Sequence, residues 1–281
     1  MADDEARQLW FITGASSGFG RALAEAALAN GDRVVGAARR TEALADLAAR
    51  HPGRLEALPL DVTDAGAVAT AVEGVLDRYR QIDVLVNNAG KTYVGAAEET
   101  GDADLRSLFE LHFFAPVALV RAVLPSMRAR RKGAIVQMSS MGGQMSFAGF
   151  SAYSATKFAL EGFSEALAGE VAPYGIRVLI VEPGAFRTEL FEAYGASTET
   201  ETYSGTVGTT RAMIRSNAGK QPGDPAKAAA AILSALAAED PPLRLPLGDD
   251  AVDILVGHLD QVRAEIEAWE KVARATALDE A

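Results

Sequence analysis

Residues 8–20, with the sequence QLWFITGASSGFG, decide the fold of this chain. Residues 8–13 are almost uniformly apolar, which is typical of a parallel strand that is buried on both faces. A turn rich in Gly and Ser follows, and residues 21–30 (RALAEAALAN) then form a strong helical pattern that stops at Asn30-Gly31. The sequence therefore predicts a strand, a tight glycine turn and a helix.

The same alternation continues outward from this unit. We predict strands at residues 8–13, 33–38, 55–60, 82–87, 134–139, 176–182 and 243–247. We predict helices at residues 21–30, 42–50, 65–79, 102–131, 152–172, 225–238 and 251–275. Strands that alternate with helices require right-handed crossovers and a parallel sheet. The fold class is thus α/β, with a single doubly wound Rossmann-type sheet of about seven strands, order 3-2-1-4-5-6-7, and helices on both faces.

The domain organisation follows from the lack of any break in composition along the 281 residues. We expect one nucleotide-binding domain over residues 1–281. Residues 188–223 lose the periodicity and are rich in Thr, Ser, Gly and Glu, which is typical of a substrate-binding loop or lid. Residues 249–281 are expected to form a C-terminal helical extension.

Composition excludes several classes of function. With 27 basic and 38 acidic residues the net charge is −11, so a nucleic-acid partner is not expected. The absence of Cys excludes disulfides and thiolate chemistry, and the three His are too far apart for a metal site. No apolar run approaches the roughly 18 residues of a membrane span. We expect a soluble cytoplasmic protein with no metal and no membrane partner.

The glycine turn is the first candidate binding site. Glycines there allow close backbone approach, and free N–H groups at a helix start attract a pyrophosphate. The candidate contacts are Gly14, Ser16, Ser17, Gly18, Phe19 and Gly20. The alternative is an ordinary connection between a strand and a helix.

The end of the second predicted strand carries Arg39 and Arg40, where dinucleotide folds meet the adenosine ribose. An acid at that corner favours NAD, whereas an Arg accommodates a 2′-phosphate through paired, charge-assisted hydrogen bonds. We therefore predict a preference for NADP(H), with NAD(H) also accepted and Arg39 as the main contact. The alternative is that both are solvated surface residues.

Tyr153 and Lys157 lie at positions i and i+4 of a predicted helix, so they share one face. A free phenol has a pKa near 10, and a nearby cation would lower it. Ser140, at the end of the fifth predicted strand, could hold a substrate oxygen near that phenol. The three residues together predict acid–base chemistry between a carbonyl and an alcohol.

An ordered set of motifs resembles the classical short-chain dehydrogenase/reductase family. The motifs are TGASSGFG at 13–20, LDVTD at 60–64, NNAG at 87–90, YSATK at 153–157 with Ser140 before it, and PGAFRT at 183–188. The resemblance covers residues 9–188 closely.

The resemblance implies a role for each matched residue. Asp61 and Val62 would contact adenine, and Asn88, Ala89 and Gly90 would support the adenosine side and the sheet. Pro183, Gly184, Phe186 and Thr188 would cradle the nicotinamide amide and the phosphates. Ser140 would orient the carbonyl, Tyr153 would transfer the proton, and Lys157 would hold the ribose while lowering the pKa of Tyr153. Hydride would pass directly between cofactor and substrate.

His112 departs from the family pattern, because it stands where an Asn usually supports a water-linked proton path to the active-site Lys. An imidazole can donate and accept hydrogen bonds, so His112 could carry that path itself. Alternatively, it is a helix residue bonded to a backbone carbonyl, and the path runs through water alone.

The substrate pocket is expected at the carboxyl ends of the strands. Its candidates are Tyr93, Met141, Gln144, Met145, Phe147, Phe150, Leu190, Phe191, Tyr194 and Tyr203. This apolar and aromatic set favours an uncharged, fairly hydrophobic ketone or alcohol. The alternative is that half of these side chains only pack the lid against the core.

The predicted function is an NADP(H)-dependent oxidoreductase that interconverts a secondary alcohol and a ketone. An alternative of another class is a cofactor-binding regulatory or interaction protein on the same scaffold. Within the enzymes, an epimerase or dehydratase is also possible. The resemblance further implies a homodimer or homotetramer, formed through residues 102–131 and 152–172.

Overall fold

The structure is a computed structural model and describes residues 8–189 and 194–278. Its strands are β1 (Leu9–Thr13), β2 (Arg33–Ala38), β3 (Leu55–Pro59), β4 (Val84–Asn87), β5 (Tyr93–Val94), β6 (Gly133–Met138), β7 (Ile176–Pro183), β8 (Gly195–Ala196) and β9 (Arg244–Leu247). Its helices are α1 (Gly18–Ala29), α2 (Ala45–Arg50), α3 (Ala65–Tyr79), α4 (Asp102–Phe109), α5 (Ala115–Arg130), α6 (Ser151–Val171), α7 (Val207–Asn217), α8 (Pro225–Ala237) and α9 (Asp249–Arg274).

The main sheet has seven parallel strands in the order β3-β2-β1-β4-β6-β7-β9. This confirms the predicted fold class and strand order, because β5 and β8 pair only with each other in a small separate sheet. From β1, the strands β2 and β3 are added toward one edge of the sheet, whereas β4, β6, β7 and β9 are added toward the other edge. The switch point of the strand order therefore lies between β1 and β4. In folds of this kind, ligands bind at that switch point, beside the carboxyl ends of the strands.

Two apolar layers cover the faces of the sheet. Along β1, Trp10 and Ile12 join one buried cluster, whereas Leu9 and Phe11 join the other, as the alternation of a strand requires. The first layer includes side chains of α1 and α8, and the second includes side chains of α3, α5 and α6. A core on both faces explains why the strand sequences are apolar at consecutive positions.

The predicted helix at residues 102–131 is interrupted. A π-helical turn, Glu110–Phe114, separates α4 from α5. One 18-residue window within Asp102–Arg130 has a mean hydropathy of 1.6, so the expectation that no apolar run approaches a membrane span was wrong. Val123 and Met127 of this stretch are fully buried against the sheet, which is the position of a core helix.

Three other predictions need correction. The helix after the glycine turn begins at Gly18 rather than at residue 21, because the end of the glycine motif is already helical. The segment 188–223 is not without regular structure, since it contains β8 and α7. The predicted C-terminal helix starts at Asp249, two residues earlier than expected, and only Ala251 and Leu255 of α9 are buried.

Candidate active site

A cleft of about 530 Å³ opens at the carboxyl ends of the central strands. The predicted cofactor-binding residues on its wall are Gly14, Ser16, Ser17, Gly18, Phe19, Arg39, Arg40, Asp61, Val62, Asn88, Ala89, Gly90, Tyr153, Lys157, Pro183, Gly184, Phe186 and Thr188. One predicted residue, Gly20, is not on the wall. Segments that are far apart in sequence therefore meet around one cavity.

The glycine turn requires its glycines for two different reasons. Gly14 and Gly18 have φ angles of +64° and +53°, which side chains rarely tolerate. Gly20 lies behind the turn, where an added Cβ would be 2.3 Å from the carbonyl oxygen of Gly14. Gly20 thus permits close packing and does not itself face the cleft, which corrects its predicted role.

Thr13 and Asn88 fasten the turn to the neighbouring strand. The Asn88 side chain donates to the Thr13 carbonyl at 2.8 Å and to the Gly14 carbonyl at 3.2 Å. The Thr13 hydroxyl donates to the Val86 carbonyl and accepts from the backbone N–H groups of Asn88 and Ala89. These bonds hold the TGASSGFG and NNAG motifs in a fixed relation.

The corner after β2 carries both arginines, and they are exposed. Asp61, which the family resemblance places against the adenine, follows β3 and also lies on this part of the wall. Hydrogen bonds from the Thr63 hydroxyl and N–H lower the pKa of Asp61, and the charge of Arg39 adds to the effect. The corner therefore combines two guanidinium groups with one ionised carboxylate.

The PGAFRT segment closes the cleft on the opposite side. Asp250, at the start of α9, accepts a bond of 2.7 Å from the Ala185 N–H. The Phe186 ring lies 5.0 Å from that of Phe19 in the glycine turn. A Cβ built on Gly18 would be 3.4 Å from Thr188, so the two motifs are in contact.

Ser140, Tyr153 and Lys157 meet at the inner end of the cleft. The Ser140 hydroxyl accepts a bond of 3.0 Å from the Gly142 N–H, which fixes its direction. The Lys157 ammonium donates to the Met138 carbonyl at 2.8 Å and lies 5.7 Å from the centre of the Tyr153 ring. The structure thus brings together the three residues that were predicted to act on the substrate.

The pKa of Tyr153 departs from the expectation. Burial raises the pKa of Tyr153 to about 12, and its contact with Ser140 opposes this only in part. Burial outweighs the predicted lowering of this pKa by Lys157, whose ammonium is bonded to the Met138 carbonyl rather than to the phenol. The phenol therefore carries its proton at neutral pH.

Lys157 is itself affected by burial. Its removal from water lowers the pKa of Lys157 to about 8, while the negative charge of Glu161, one turn further along α6, acts in the opposite direction. The ammonium form still dominates at neutral pH. The site thus presents a neutral phenol beside a cation.

His112 lies in the π-helical turn and is buried. Its Nε2 accepts a bond of 3.1 Å from the Lys91 N–H, and its Nδ1 lies 2.9 Å from the Thr156 hydroxyl. That hydroxyl donates to the Tyr153 carbonyl, so Nδ1 is the donor in the bond to Thr156. Burial, together with Lys157 and Lys91, holds the pKa of His112 well below its usual range, and the ring is neutral.

Both ring nitrogens of His112 are therefore engaged, and neither bonds to Lys157. The alternative prediction, a bond from His112 to a backbone carbonyl, was wrong, since the ring nitrogens bond the Lys91 N–H and the Thr156 hydroxyl. A role for His112 in proton transfer stays a prediction. The observed role is to tie the loop after β4 to α6.

A second, apolar cavity of about 160 Å³ adjoins the cleft, and both Ser140 and Tyr153 line it. The predicted pocket residues on its wall are Met141, Phe147 and Phe150. Leu190 and Phe191 lie outside the described residues. A hydrophobic group placed here would have its reacting carbon next to the Ser and Tyr hydroxyls.

Other predicted pocket residues lie elsewhere. Tyr93 is buried against Leu108 and donates to Asp104, and Gln144 donates to Glu182 behind the site. Met145 does not line either cavity, and Tyr194 and Tyr203 pack on the buried cluster around Val94. For these aromatic residues the alternative, lid packing against the core, describes the structure better.

Sequence reasoning missed several wall residues. The second cavity is completed by Thr92, Gly142, Ser154, Ala185, Met213, Ile214, Asn217 and Gln221. Met213 and Ile214 fall in the segment that was predicted as a lid, so large apolar side chains in that otherwise polar segment were the available signal. Lys91 lies on the wall of the main cleft, and the sequence analysis did not name it. Its position directly after the NNAG motif was the available signal.

The residues of the main cleft fit a nicotinamide dinucleotide. Gly14 and Gly20 leave no room for a side chain, and the Ser17 side chain makes no capping hydrogen bond at the N-terminus of α1, where backbone N–H groups can donate to an anion. Among the described residues, no group of three or more His, Cys, Asp or Glu side chains could hold a metal ion. The donor set therefore suits a phosphate-bearing organic cofactor.

Comparisons with known proteins agree with this site. The sequence profile of the short chain dehydrogenase family matches residues 8–199. Oxidoreductase BOA17 of Botryotinia fuckeliana is 38% identical over 273 residues, which cover 96% of this chain and 99% of that protein. A 3-ketodihydrosphingosine reductase of Bacteroides thetaiotaomicron is 36% identical over 86% of this chain and 88% of its own length.

Solved structures show the same relationship. A short-chain dehydrogenase from Streptomyces avermitilis is 61% identical with a TM-score of 0.92, covering 97% of this chain and 99% of that one. A metagenomic short-chain oxidoreductase in complex with NADP is 35% identical with a TM-score of 0.61, covering 64% of this chain and 83% of that one. The chain belongs to the short-chain dehydrogenase/reductase family of oxidoreductases.

Proposed function

We propose that this oxidoreductase uses NADP(H) to interconvert a secondary alcohol and a ketone on a fairly hydrophobic small molecule. One observation carries the proposal: Ser140 and Tyr153 line both the dinucleotide-sized cleft and the adjoining apolar cavity. A substrate in the smaller cavity and a nicotinamide in the larger one would therefore meet at these two hydroxyls. Bound cofactor supplies the hydride.

The residues of the chain divide the remaining work. The Ser140 hydroxyl holds the substrate oxygen, and the Tyr153 phenol, protonated at neutral pH, donates to that oxygen when a ketone is reduced. Lys157 is charged at neutral pH and stabilises the phenolate that this transfer leaves. In the reverse direction the same phenolate would accept the proton. Because the pKa of Tyr153 is raised, little of the phenolate that the reverse reaction needs is present at neutral pH.

The preference for NADP(H) over NAD(H) rests on Arg39 and Arg40 at the corner after β2. Their exposed guanidinium groups suit a phosphate dianion, and the related oxidoreductase crystallised with NADP supports the assignment. Asp61 beside Arg39 opposes an added negative charge, so we propose a preference and not an exclusion of NAD(H).

The volume of the apolar cavity limits the size of the substrate group that can enter it. Its volume of about 160 Å³ is close to the roughly 150 Å³ cavity that accommodates benzene. Phe147, Phe150, Met141, Met213 and Ile214 supply its apolar walls. We propose an aryl or short alkyl ketone, with any larger part of the substrate extending into solvent.

A turnover screen tests the proposal. The purified protein is assayed against ketones and alcohols of increasing size, with NADPH, NADH and their oxidised forms. We expect stoichiometric cofactor oxidation with small hydrophobic ketones and weak activity with acidic or phosphorylated ones. NADPH binding without turnover on the whole panel would instead support the regulatory alternative. Product formed without net cofactor oxidation would indicate an epimerase or dehydratase.

A further inference from the structure

Two carboxyl groups are buried directly behind the candidate active site. Glu182 is in β7, next to Pro183 of the cleft wall, and is 0% exposed. Glu161 is on α6, one turn after Lys157, and is 5% exposed. Burying a carboxylate is costly unless it is paired and hydrogen-bonded. Neither group is used in the proposed reaction.

The carboxyl pair has two polar neighbours, Gln144 and Arg244. Gln144 donates to Glu182. The Arg244 Nε lies 3.1 Å from Oε2 of Glu161 and 3.7 Å from Oε1 of Glu182. The same guanidinium bonds the exposed Glu165 at 2.7 Å. One cation is thus shared among three carboxyl groups.

One oxygen on each carboxyl group has no partner. Oε1 of Glu161 and Oε2 of Glu182 are buried, and no donor reaches them among the described residues. Two ionised carboxylates can only accept hydrogen bonds, so neither can satisfy the other. A proton on one of them would turn it into a donor. Burial and the adjacent Glu161 raise the pKa of Glu182 to about 7.

Charge counting supports a single shared proton. With one proton on the pair, the pair and Glu165 carry two negative charges, which balance Arg244 and Lys157. Without that proton, one buried negative charge has no partner. Asp250, at the start of α9, accepts from the Ala185 N–H.

The pair touches the segments that carry the reacting groups. A Cβ on Gly143 would lie 2.9 Å from Cγ of Glu161 and 2.5 Å from the Ser139 hydroxyl, so the turn after Ser140 packs directly on the pair. Gln144, which ends that turn, is bonded to Glu182. Lys157 is on the same helix as Glu161. The pair therefore packs against the turn after Ser140, and Glu161 shares a helix with Lys157.

We propose that Glu161 and Glu182 are positioning residues that share one proton, and that this proton holds the turn after Ser140 against α6. Loss of the proton places two carboxylates side by side, and their repulsion loosens the turn that directs Ser140. Substrate binding then weakens, whereas the added negative charge on the pair favours the ammonium form of Lys157. The inference rests on the proposed function only for this kinetic consequence.

Unfolding measurements test the shared proton without any substrate. A carboxyl pKa raised in the folded state gives stability that is complete below the unfolded pKa near 4.3 and lost as the pH rises through about 7. The urea midpoint of the wild type should therefore fall between about pH 5 and about pH 8. Glu182→Gln keeps a donor in the pair at every pH, so its midpoint should fall less. Glu165→Gln, which alters the exposed partner of Arg244, should follow the wild type.

Infrared spectra of the unmodified chain supply a second test, which does not depend on a variant that folds. The carbonyl band of a protonated carboxyl group should be present at about pH 6 and decline toward about pH 8. Its absence at the lower pH would overturn the proposal, as would a parallel pH dependence of stability in the wild type and Glu182→Gln.

Kinetics then test the positioning role. In the wild type, the KM for the ketone should rise several-fold above neutral pH, with a smaller change in kcat. In Glu182→Gln this rise should be absent. If both proteins turn over the ketone and neither KM changes with pH, the positioning role is refuted. Absence of turnover on any substrate, with the stability and infrared results as expected, would refute the proposed function and leave the shared proton established.

Discussion

The chemistry of this site at the residue scale depends on where a cation is placed relative to a phenol. Lys157 is one helical turn from Tyr153, as the spacing predicts, but its ammonium is bonded to the Met138 carbonyl. Burial therefore dominates, and the pKa of Tyr153 rises to about 12. The spacing in the sequence identifies the pair, whereas the direction of the pKa shift requires the surrounding burial.

His112 gives the first prediction at this scale. His112→Leu would leave the Lys91 N–H and the Thr156 hydroxyl without their partner, at a cost of about 1–3 kcal/mol for each buried group. His112→Asn keeps a donor and an acceptor, so it should retain substantial turnover where His112→Leu loses most of it. The measurement is kcat together with urea unfolding. Equal activity in the two variants would dismiss a proton path through residue 112.

Arg39 gives a second prediction. Arg39→Asp removes a guanidinium from the corner after β2 and adds a carboxylate beside Asp61, so binding of a 2′-phosphate should weaken. We expect the ratio of kcat/KM for NADPH to that for NADH to fall by about tenfold or more, since charge-assisted hydrogen bonds are worth about 1.5–3 kcal/mol. Arg33→Asp, at the other end of β2, is the control. An unchanged ratio in Arg39→Asp would assign the phosphate contact elsewhere.

At the scale of elements, the strands and most helices could be predicted because buried parallel strands and amphipathic helices leave clear patterns. The π-helical turn could not, since no composition marks the point at which a helix widens by one residue. The lid was harder still. Its helix α7 is polar apart from a few apolar positions, and it is fixed by contacts with residues about a hundred positions earlier.

Arg211 of α7 is the main such contact. It is 2% exposed and bonds Glu99 at 3.3 Å and the Ser197 hydroxyl at 2.7 Å. Hydrogen bonds from Thr200, Ser197 and the Ala96 N–H lower the pKa of Glu99 to about 2. The stability that this carboxylate gives is therefore present above its unfolded pKa and is lost as the pH falls through about 2.

Removing this anchor should loosen the wall of the apolar cavity. In Arg211→Met we expect KM to rise several-fold more than kcat falls, because Met213 and Ile214 lose their position while Ser140 and Tyr153 keep theirs. Arg215→Met, on the same helix but 54% exposed, is the matched control and should leave KM unchanged. A fall in kcat alone would show that α7 does not shape substrate binding.

At the scale of the whole molecule, the sequence predicts the sheet, the strand order and most of the cleft wall. It predicts them because the motifs lie at the carboxyl ends of consecutive strands, and the topology brings those ends together. The apolar cavity was predicted less well. Tyr93 and Tyr194 have the composition of pocket residues, and only their tertiary contacts reveal that they belong to the core.

The C-terminal helix contributes unevenly to the molecule. Leu255 is buried against the fold, whereas every described residue from 263 onward is exposed, Trp269 by 67%. Leu255→Ala should therefore lower the free energy of unfolding by about 2–5 kcal/mol. Deletion of the chain from residue 263 should change it by less than about 1 kcal/mol, because little apolar area is buried there. A large loss in the deletion would show that this half of α9 packs against another molecule, as in the homodimer or homotetramer that the family resemblance implies.

The central claim is that the Tyr153 phenol gives its proton to a ketone held beside bound NADPH. Single-turnover oxidation of NADPH, followed in the wild type and in Tyr153→Phe with the best ketone from the screen, tests it most directly. The account predicts that the variant binds NADPH as tightly as the wild type and loses about 10²–10⁴-fold in the rate of oxidation, since the ring stays and only the transferable proton is removed. An equal rate in the two proteins would contradict the account.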